Sequence, residues 1–171
     1  EDALLLTEID VSAEQFTSSL VSLSAVVSRS IESTFEFAES RFVTLTPPSA
    51  DQNLVVGDEQ LLVRALHALL ETAVKFSEKG ENVRLSRDVG TDSPTVIIES
   101  HGRTIPGRAL AQFFDLFSIT EAGTPGRDLG LGPALAYRIL SLFGASVSVA
   151  NRDPSGIRLT ISLKNPALVR A

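Results

Sequence analysis

Apolar positions along this chain change their period several times, and each change marks an element. "ALLLTEID" opens with an apolar run followed by alternation, which predicts an edge strand. Beyond it, Phe16, Leu20, Leu23, Val27, Ile31 and Phe35 recur at spacings of three and four. "VSAEQFTSSLVSLSAVVSRSIESTFEFAES" therefore predicts one long helix with a single buried stripe. "RFVTLTPPSADQNLVVGD" carries two short β-rich pieces, Phe42 to Leu45 and Leu54 to Val56, around a Pro-Pro turn that no helix crosses. Asp58 stands where an N-cap belongs. Leu61, Leu62, Ala65, Leu66, Leu69, Leu70, Ala73 and Val74 then come in pairs four apart, predicting a second helix that runs to about Ser77.

The second half alternates hairpins with helices. "NVRLSRDV" and "TVIIES" flank the turn "GTDSP" and read as two paired strands, the second apolar enough to be central. "PGRALAQFFDLFS" predicts a short helix, and Ile119 to Leu129 is a glycine-rich loop suited to a lid. A third long helix follows "DLGLGP", and "ASVSVANRDPSGIRLTISL" is a second hairpin around "RDPSG". This mixture predicts an α+β fold with helices layered on one face of a sheet.

Composition narrows the class. The chain has 171 residues, 43% of them hydrophobic, enough for one domain with a substantial core. A net charge of −6, from 15 basic and 21 acidic residues without basic runs, argues against a nucleic-acid partner. With no cysteine, disulfides and thiolate metal sites are excluded, and with His67 and His101 the only histidines, a histidine-rich metal centre is not expected. No apolar run approaches the ~20 residues that span a bilayer, and the charged start does not resemble a signal peptide, so a soluble chain without membrane contact is expected. The missing initiator methionine suggests a fragment of something longer.

Three stretches carry candidate chemistry. In "DLGLGPALAYRIL", Gly130 and Gly132 precede a helix whose first turn Pro133 fits, and exposed amides there could receive an anion or could serve only the backbone turn. On "HALLETAVKFS", Ala68, Glu71, Thr72 and Lys75 share the face opposite the leucine pairs. That face is either solvated or one wall of a nucleotide site, with Lys75 near phosphates and Glu71 near a metal or water. In "VIIESHGRTIP" a buried strand ends in a glycine turn, which is either a rigid support for binding groups or a simple strand-to-helix turn.

Taken in order, with "FFDLF" between them, these stretches resemble the catalytic and ATP-binding domain of sensor histidine kinases, of the Bergerat-fold ATPase superfamily. The resemblance covers nearly the whole chain, treats it as one such domain, and implies a two-layer sandwich of helices on a mixed, mostly antiparallel sheet. "ALLETAVKF" is similar to the N box N-L-L-x-N-A-x-K-F, with Lys75 and Phe76 kept and with Ala68 and Thr72 in place of its asparagines; the second asparagine is the Mg²⁺ ligand. "SHGRTIP" is similar to D-x-G-x-G-I-P, keeping Gly102, Ile105 and Pro106 and replacing the adenine-binding aspartate with Ser100. Glu99, one residue earlier, should point to the other face. "FFDLF" resembles the F box through Phe114 and Phe117. "DLGLGP" resembles G-x-G-L-G-L, with Gly130, Leu131 and Gly132 kept and Asp128 and Pro133 as departures. The loop before it corresponds to the ATP lid, with Arg127 as its basic side chain.

The resemblance implies ATP and Mg²⁺ as cofactors, with Glu71 and Lys75 as catalytic residues. Thr72, Lys75, Ser100, Gly102, Ile105, Phe117, Arg127, Gly130, Leu131 and Gly132 would bind nucleotide, with Thr72 standing at the metal position. Phosphoryl transfer would go to a histidine on a separate dimerisation hairpin, and a response regulator would be the further partner, both in the cytoplasm. Neither His67 nor His101 sits in the phosphoacceptor motif. The alternative is a degenerate module of the same fold that signals by protein docking with weak or no nucleotide binding. A serine kinase resembling anti-sigma factors shares the fold but ordinarily lacks the opening strand-and-helix segment.

Overall fold

The structure, a computed structural model, describes residues 2–12, 16–88, 92–115 and 130–166. The first segment is not a strand. Asp2–Ser12 forms helix α1, because its buried positions, Leu6 and Ile9 with Leu5 partly covered, follow the helical period. Strict alternation would pair Leu4 with Leu6, and Leu4 is 77% exposed.

The predicted long helix is also shorter than expected. Ser19–Ser22 is a strand, β1, and helix α2 spans Leu23–Ser40. Ser22 caps α2 by accepting the Ala25 N–H at 3.3 Å, so the helix starts there. The buried face of α2 is Leu23, Val26, Val27, Ser30, Thr34 and Ala38, whereas Leu20 and Phe35 of the predicted stripe are exposed. Small residues occupy the second half of this face because α2 lies directly against the next long helix, and Ser30 Oγ reaches that helix at the Val63 carbonyl, 3.3 Å away.

Strands β2 (Thr44–Thr46) and β3 (Leu54–Gly57) fall where predicted but do not pair with each other. β3 pairs antiparallel with β1 in a two-stranded ribbon. β2 is the edge of a five-stranded sheet with β4 (Asn82–Asp88), β5 (Thr95–Glu99), β6 (Ser146–Asn151) and β7 (Ile157–Ser162), in the order β2-β4-β5-β7-β6. The β2–β4 pairing is parallel and the rest are antiparallel, which gives the expected mixed sheet with β5 central.

Helix α3 spans Glu59–Phe76, and Asp58 caps it by accepting the Leu61 N–H at 2.9 Å. It packs between α2 and α5 (Gly132–Leu142) and rests on β4, β5 and β7. A short helix, α4 (Gly107–Ala111), follows β5. Leu62, Leu66, Leu69 and Leu70 are fully buried against Val83, Ile98, Leu159 and Ile161 of the sheet and the apolar face of α5. Each such side chain contributes about 1.5–3 kcal/mol by leaving water. That packing fixes the rotation of α3, and with it the direction in which its remaining faces point.

Candidate functional site

Helix periodicity sets two rows on α3. Arg64, Ala68 and Thr72 form one, and His67, Glu71 and Lys75 form the next, each at spacings of four. Beyond Arg64, which is partly exposed, the first row is not solvated. Ala68 and Thr72 are buried beneath the turn that starts α5, where a Cβ on Gly132 would lie 3.7 Å from the Ala68 Cβ and 3.9 Å from Thr72 Oγ1. Even a Cβ at Gly132 would meet Ala68 only at ordinary contact distance, and Ala68 also lines the cavity that the second row rims.

The second row rims a cavity of about 460 Å³ between α3, the start of α1 and residues 130–132. Glu71 Oε1 lies 3.3 Å from His67 Nε2, and His67 Nδ1 lies 3.0 Å from both Ser33 Oγ and Thr34 Oγ1 of α2. Both hydroxyls already donate to the Ser30 carbonyl, at 2.9 and 2.7 Å. Lys75 Nζ stands 5.8 Å over the Phe37 ring, with Arg41 over the same ring at 5.1 Å. Lys75 and Glu71 thus reach the same cavity as Gly130, Leu131 and Gly132. Among the described residues, nothing lies within 4 Å of the position a Cβ would take on Gly130, so on their side the backbone there is open to a ligand. Residues 130–132 lead into the eleven-residue helix α5, whose first amides lack intrahelical partners and favour an anion.

Thr72 does not line this cavity. Its side chain lies behind Gly132 at 2% exposure, and its hydroxyl donates to the Ala68 carbonyl at 2.8 Å. Direct ligation of a metal by Thr72 does not fit this placement. Among the described residues, no group of three metal-ligating side chains is present.

Ser100 does not line this cavity either. It is fully buried, and its Oγ accepts the Ile157 N–H at 3.1 Å, joining the end of β5 to the start of β7. Glu99 points away from it, as alternation predicts, and its Oε2 accepts from Arg152 Nε at 3.1 Å and Arg158 Nη2 at 2.8 Å. Gly156 approaches the Ser100 carbonyl so closely that a Cβ would sit 1.9 Å from that oxygen. Gly102 pairs with Ser77 just beyond α3, and a Cβ there would meet the Phe76 carbonyl at 2.5 Å. These two contacts explain both glycines by close backbone approach.

The strand-end segment continues to Ile105, which is buried and gripped by Asn151 of β6 at both backbone groups. Beyond α4, Phe113 packs near Phe76 and edge-on to Phe114, and Phe114 stacks on Tyr137 of α5 at 5.9 Å. Phe117, Arg127 and Asp128 lie outside the described residues. Four contributors were not singled out in the sequence. Asn151 and Tyr137 had no local signal, whereas Arg64, one turn before Ala68, and Asp2 could have been sought as charges flanking the N box.

The profile of the family described as histidine kinase-, DNA gyrase B- and HSP90-like ATPases matches residues 57–167, from the residue before the α3 cap to beyond the last strand. The sensor protein CreC of Escherichia coli (strain K12) is 28% identical over 130 residues, covering 76% of this chain and 27% of that protein. The chain thus spans about a quarter of the length of the curated relatives it matches. In three dimensions it resembles the histidine kinase AdeS of Acinetobacter baumannii, with a TM-score of 0.75 at 19% identity over 96% of this chain and 76% of that one. Full-length ShkA, solved in complex with AMPPNP, matches with a TM-score of 0.77 at 21% identity over 95% of this chain and 34% of that one.

Proposed function

The chain belongs to the histidine kinase-, DNA gyrase B- and HSP90-like ATPase family, and from that premise we propose that it is the catalytic domain of a two-component sensor kinase. In this reading it binds ATP and presents the terminal phosphoryl group to a histidine on a separate dimerisation domain, with a response regulator as the later acceptor. The reaction would take place in the cytoplasm. No helix among the described residues is long and apolar enough to cross a membrane. The matched proteins are named as sensors, kinases and ATPases, and they do not favour the alternative of a docking module without nucleotide.

One observation carries the reading. The glycine turn 130–132, Glu71 and Lys75 meet at a single cavity. Amides at the start of α5 would receive phosphate oxygens, and Lys75 would neutralise their charge as a flexible point cation. Glu71, held beside His67, would orient a proton-bearing group at the rim. Bound ATP supplies the transferable phosphoryl group, and the protein's work in such a transfer is positioning and charge stabilisation. Leu131 would shape a wall of this cavity through its backbone, whereas Gly102 and Ile105, which do not line it, would serve the adenine end with Ser100. Arg127 and Phe117 would contribute from the lid and the F box.

The phosphate end fits the residues present better than the metal or adenine ends. Thr72 is screened from the cavity and Ser100 spends an acceptor position on Ile157, so no step is derived through a metal on Thr72. If Ser100 meets adenine, it does so as a neutral hydroxyl without the charge assistance of a carboxylate.

Titration calorimetry with MgATP tests the reading. Saturable binding, weakened about tenfold by Lys75→Ala, is expected; the absence of any heat or melting shift at millimolar MgATP would overturn it.

A further inference from the structure

Arg64 belongs to the row of Ala68 and Thr72 and lines the same cavity as the glycine turn. It does not face the cavity alone. Asp2, in the first turn of α1, places Oδ1 2.7 Å from Arg64 Nη2, and both side chains are only partly buried. A carboxylate of the chain itself is therefore seated at the cavity that would take phosphate. Ala68, one turn beyond Arg64, contributes only a methyl, so the cavity runs from the guanidinium to residues 130–132.

The charges around the cavity make the arrangement competitive. Arg64 and Lys75 are matched by Asp2 and Glu71, so the described rim is formally balanced while Asp2 is in place. Withdrawing Asp2 leaves one positive charge in excess, beside amides that already favour an anion. The withdrawal need not undock α1. Leu6 and Ile9, one and two turns further on, are the buried anchors of that helix, and a change of the Asp2 rotamer moves the carboxylate off Arg64 while they stay in place.

Resting on the reading of this cavity as the ATP site, we propose that Arg64 binds the terminal phosphates and that Asp2 is a built-in competitor for it. The Asp2 side chain then regulates access: seated, it occupies the guanidinium, and turned away, it releases a planar donor suited to two phosphate oxygens.

The test uses inorganic tripolyphosphate and MgATP as separate probes, titrated calorimetrically against the whole chain and its variants. Asp2→Asn should tighten tripolyphosphate binding several-fold, and Arg64→Gln should weaken it about tenfold, the loss expected of one charge-assisted contact. Arg64→Lys, which keeps the charge and loses the fork, should fall between. In the Arg64→Gln background, Asp2→Asn should have a clearly smaller effect, the remainder being the loss of one negative charge from the rim, because the competition itself acts through one contact. A carbon-detected shift of the Arg64 guanidinium on adding tripolyphosphate gives a readout independent of any reaction, and melting curves confirm that the variants fold. If MgATP binds while neither Arg64 variant nor Asp2→Asn changes affinity by more than twofold, the role of Arg64 is overturned and the ATP reading stands. If no variant binds either probe, both fall.

Discussion

Asn151 holds Ile105 by both of its backbone groups: its Oδ1 accepts the Ile105 N–H at 2.7 Å and its Nδ2 donates to the Ile105 carbonyl at 2.8 Å. One side chain from the edge strand β6 thus fixes the segment that follows β5, 46 residues earlier in the chain. Asn151→Ala should cost about 1–2 kcal/mol in urea denaturation, a value reduced by the partial exposure of the pair. Amide exchange at Ile105 should speed up more than at Ile98. Unchanged exchange at Ile105 would show that the clamp does not hold the segment.

Gly156 and Gly80 have nearly the same backbone, at φ +93° and +88°, but different surroundings. A Cβ on Gly156 would overlap the Ser100 carbonyl, whereas among the described residues nothing lies within 4 Å of one on Gly80. Gly80→Ala should therefore cost about 1 kcal/mol, the strain of the left-handed region alone. Gly156→Ala should cost about 3 kcal/mol or more, because strain and overlap add. Equal melting temperatures for the two variants would contradict the close approach.

Arg87 and Asp51 form an ion pair beneath the Pro-Pro loop, with the Arg87 side chain only 6% exposed. Burial pushes the guanidinium below its ordinary range while Asp51 pulls it back, and Arg87 Nε is buried with no hydrogen-bond partner among the described residues. Removing the carboxylate strands a charge on an almost fully buried guanidinium, whereas removing the guanidinium leaves a carboxylate that is a quarter exposed and still accepts the Asn53 N–H at 2.8 Å. Asp51→Asn should destabilise by about 2–3 kcal/mol in chemical denaturation, and Arg87→Met should be nearly neutral. The reverse order would mean that the pair is held for its Coulomb attraction.

Thr72→Val separates a structural hydroxyl from a metal ligand. The substitution keeps the shape of a buried side chain and removes a bond to a carbonyl within the same helix, so stability should change by less than about 1 kcal/mol. MgATP affinity and its dependence on Mg²⁺ should match wild type within twofold. A selective loss of the Mg²⁺ dependence would place the hydroxyl at the metal after all.

Local chemistry made the second half of the fold legible. Asp58, the leucine pairs of α3 and the two hairpins around "GTDSP" and "RDPSG" each carry their own signal, and the structure has them where the pattern placed them. The first forty residues hide their elements for several physical reasons, the packing of α2 chief among them. Helix packing there selects small side chains, so Ser30, Thr34 and Ala38 are inside while Phe35 is outside, and hydrophobicity alone chose the wrong face. Ser22 was a cap hidden in a serine-rich stretch, and the partner of β1 lies more than thirty residues away. At the site, the motifs placed Glu71, Lys75 and the glycine turn at one cavity, but motif position could not reveal what a side chain is already bonded to. Ser100 is occupied by the Ile157 amide from another strand, and Thr72 is covered by Gly132 from another helix.

The Ser77–Gly102 bridge has a mechanical meaning for the cleft as a whole. Around it, the Glu78 amide donates to the His101 carbonyl at 3.0 Å and the Arg103 amide to the Phe76 carbonyl at 2.9 Å, so the end of α3 is stitched to the end of β5 by backbone bonds. On the other side, the start of α5 lies over Ala68 and Thr72 with room for one methyl, since a Cβ on Gly132 would reach them only at 3.7–3.9 Å. The two jaws of the cleft are thus held by different means: main-chain hydrogen bonds tie the end of α3 to the sheet, and buried side chains such as Leu135, Ile139 and Leu140 hold α5.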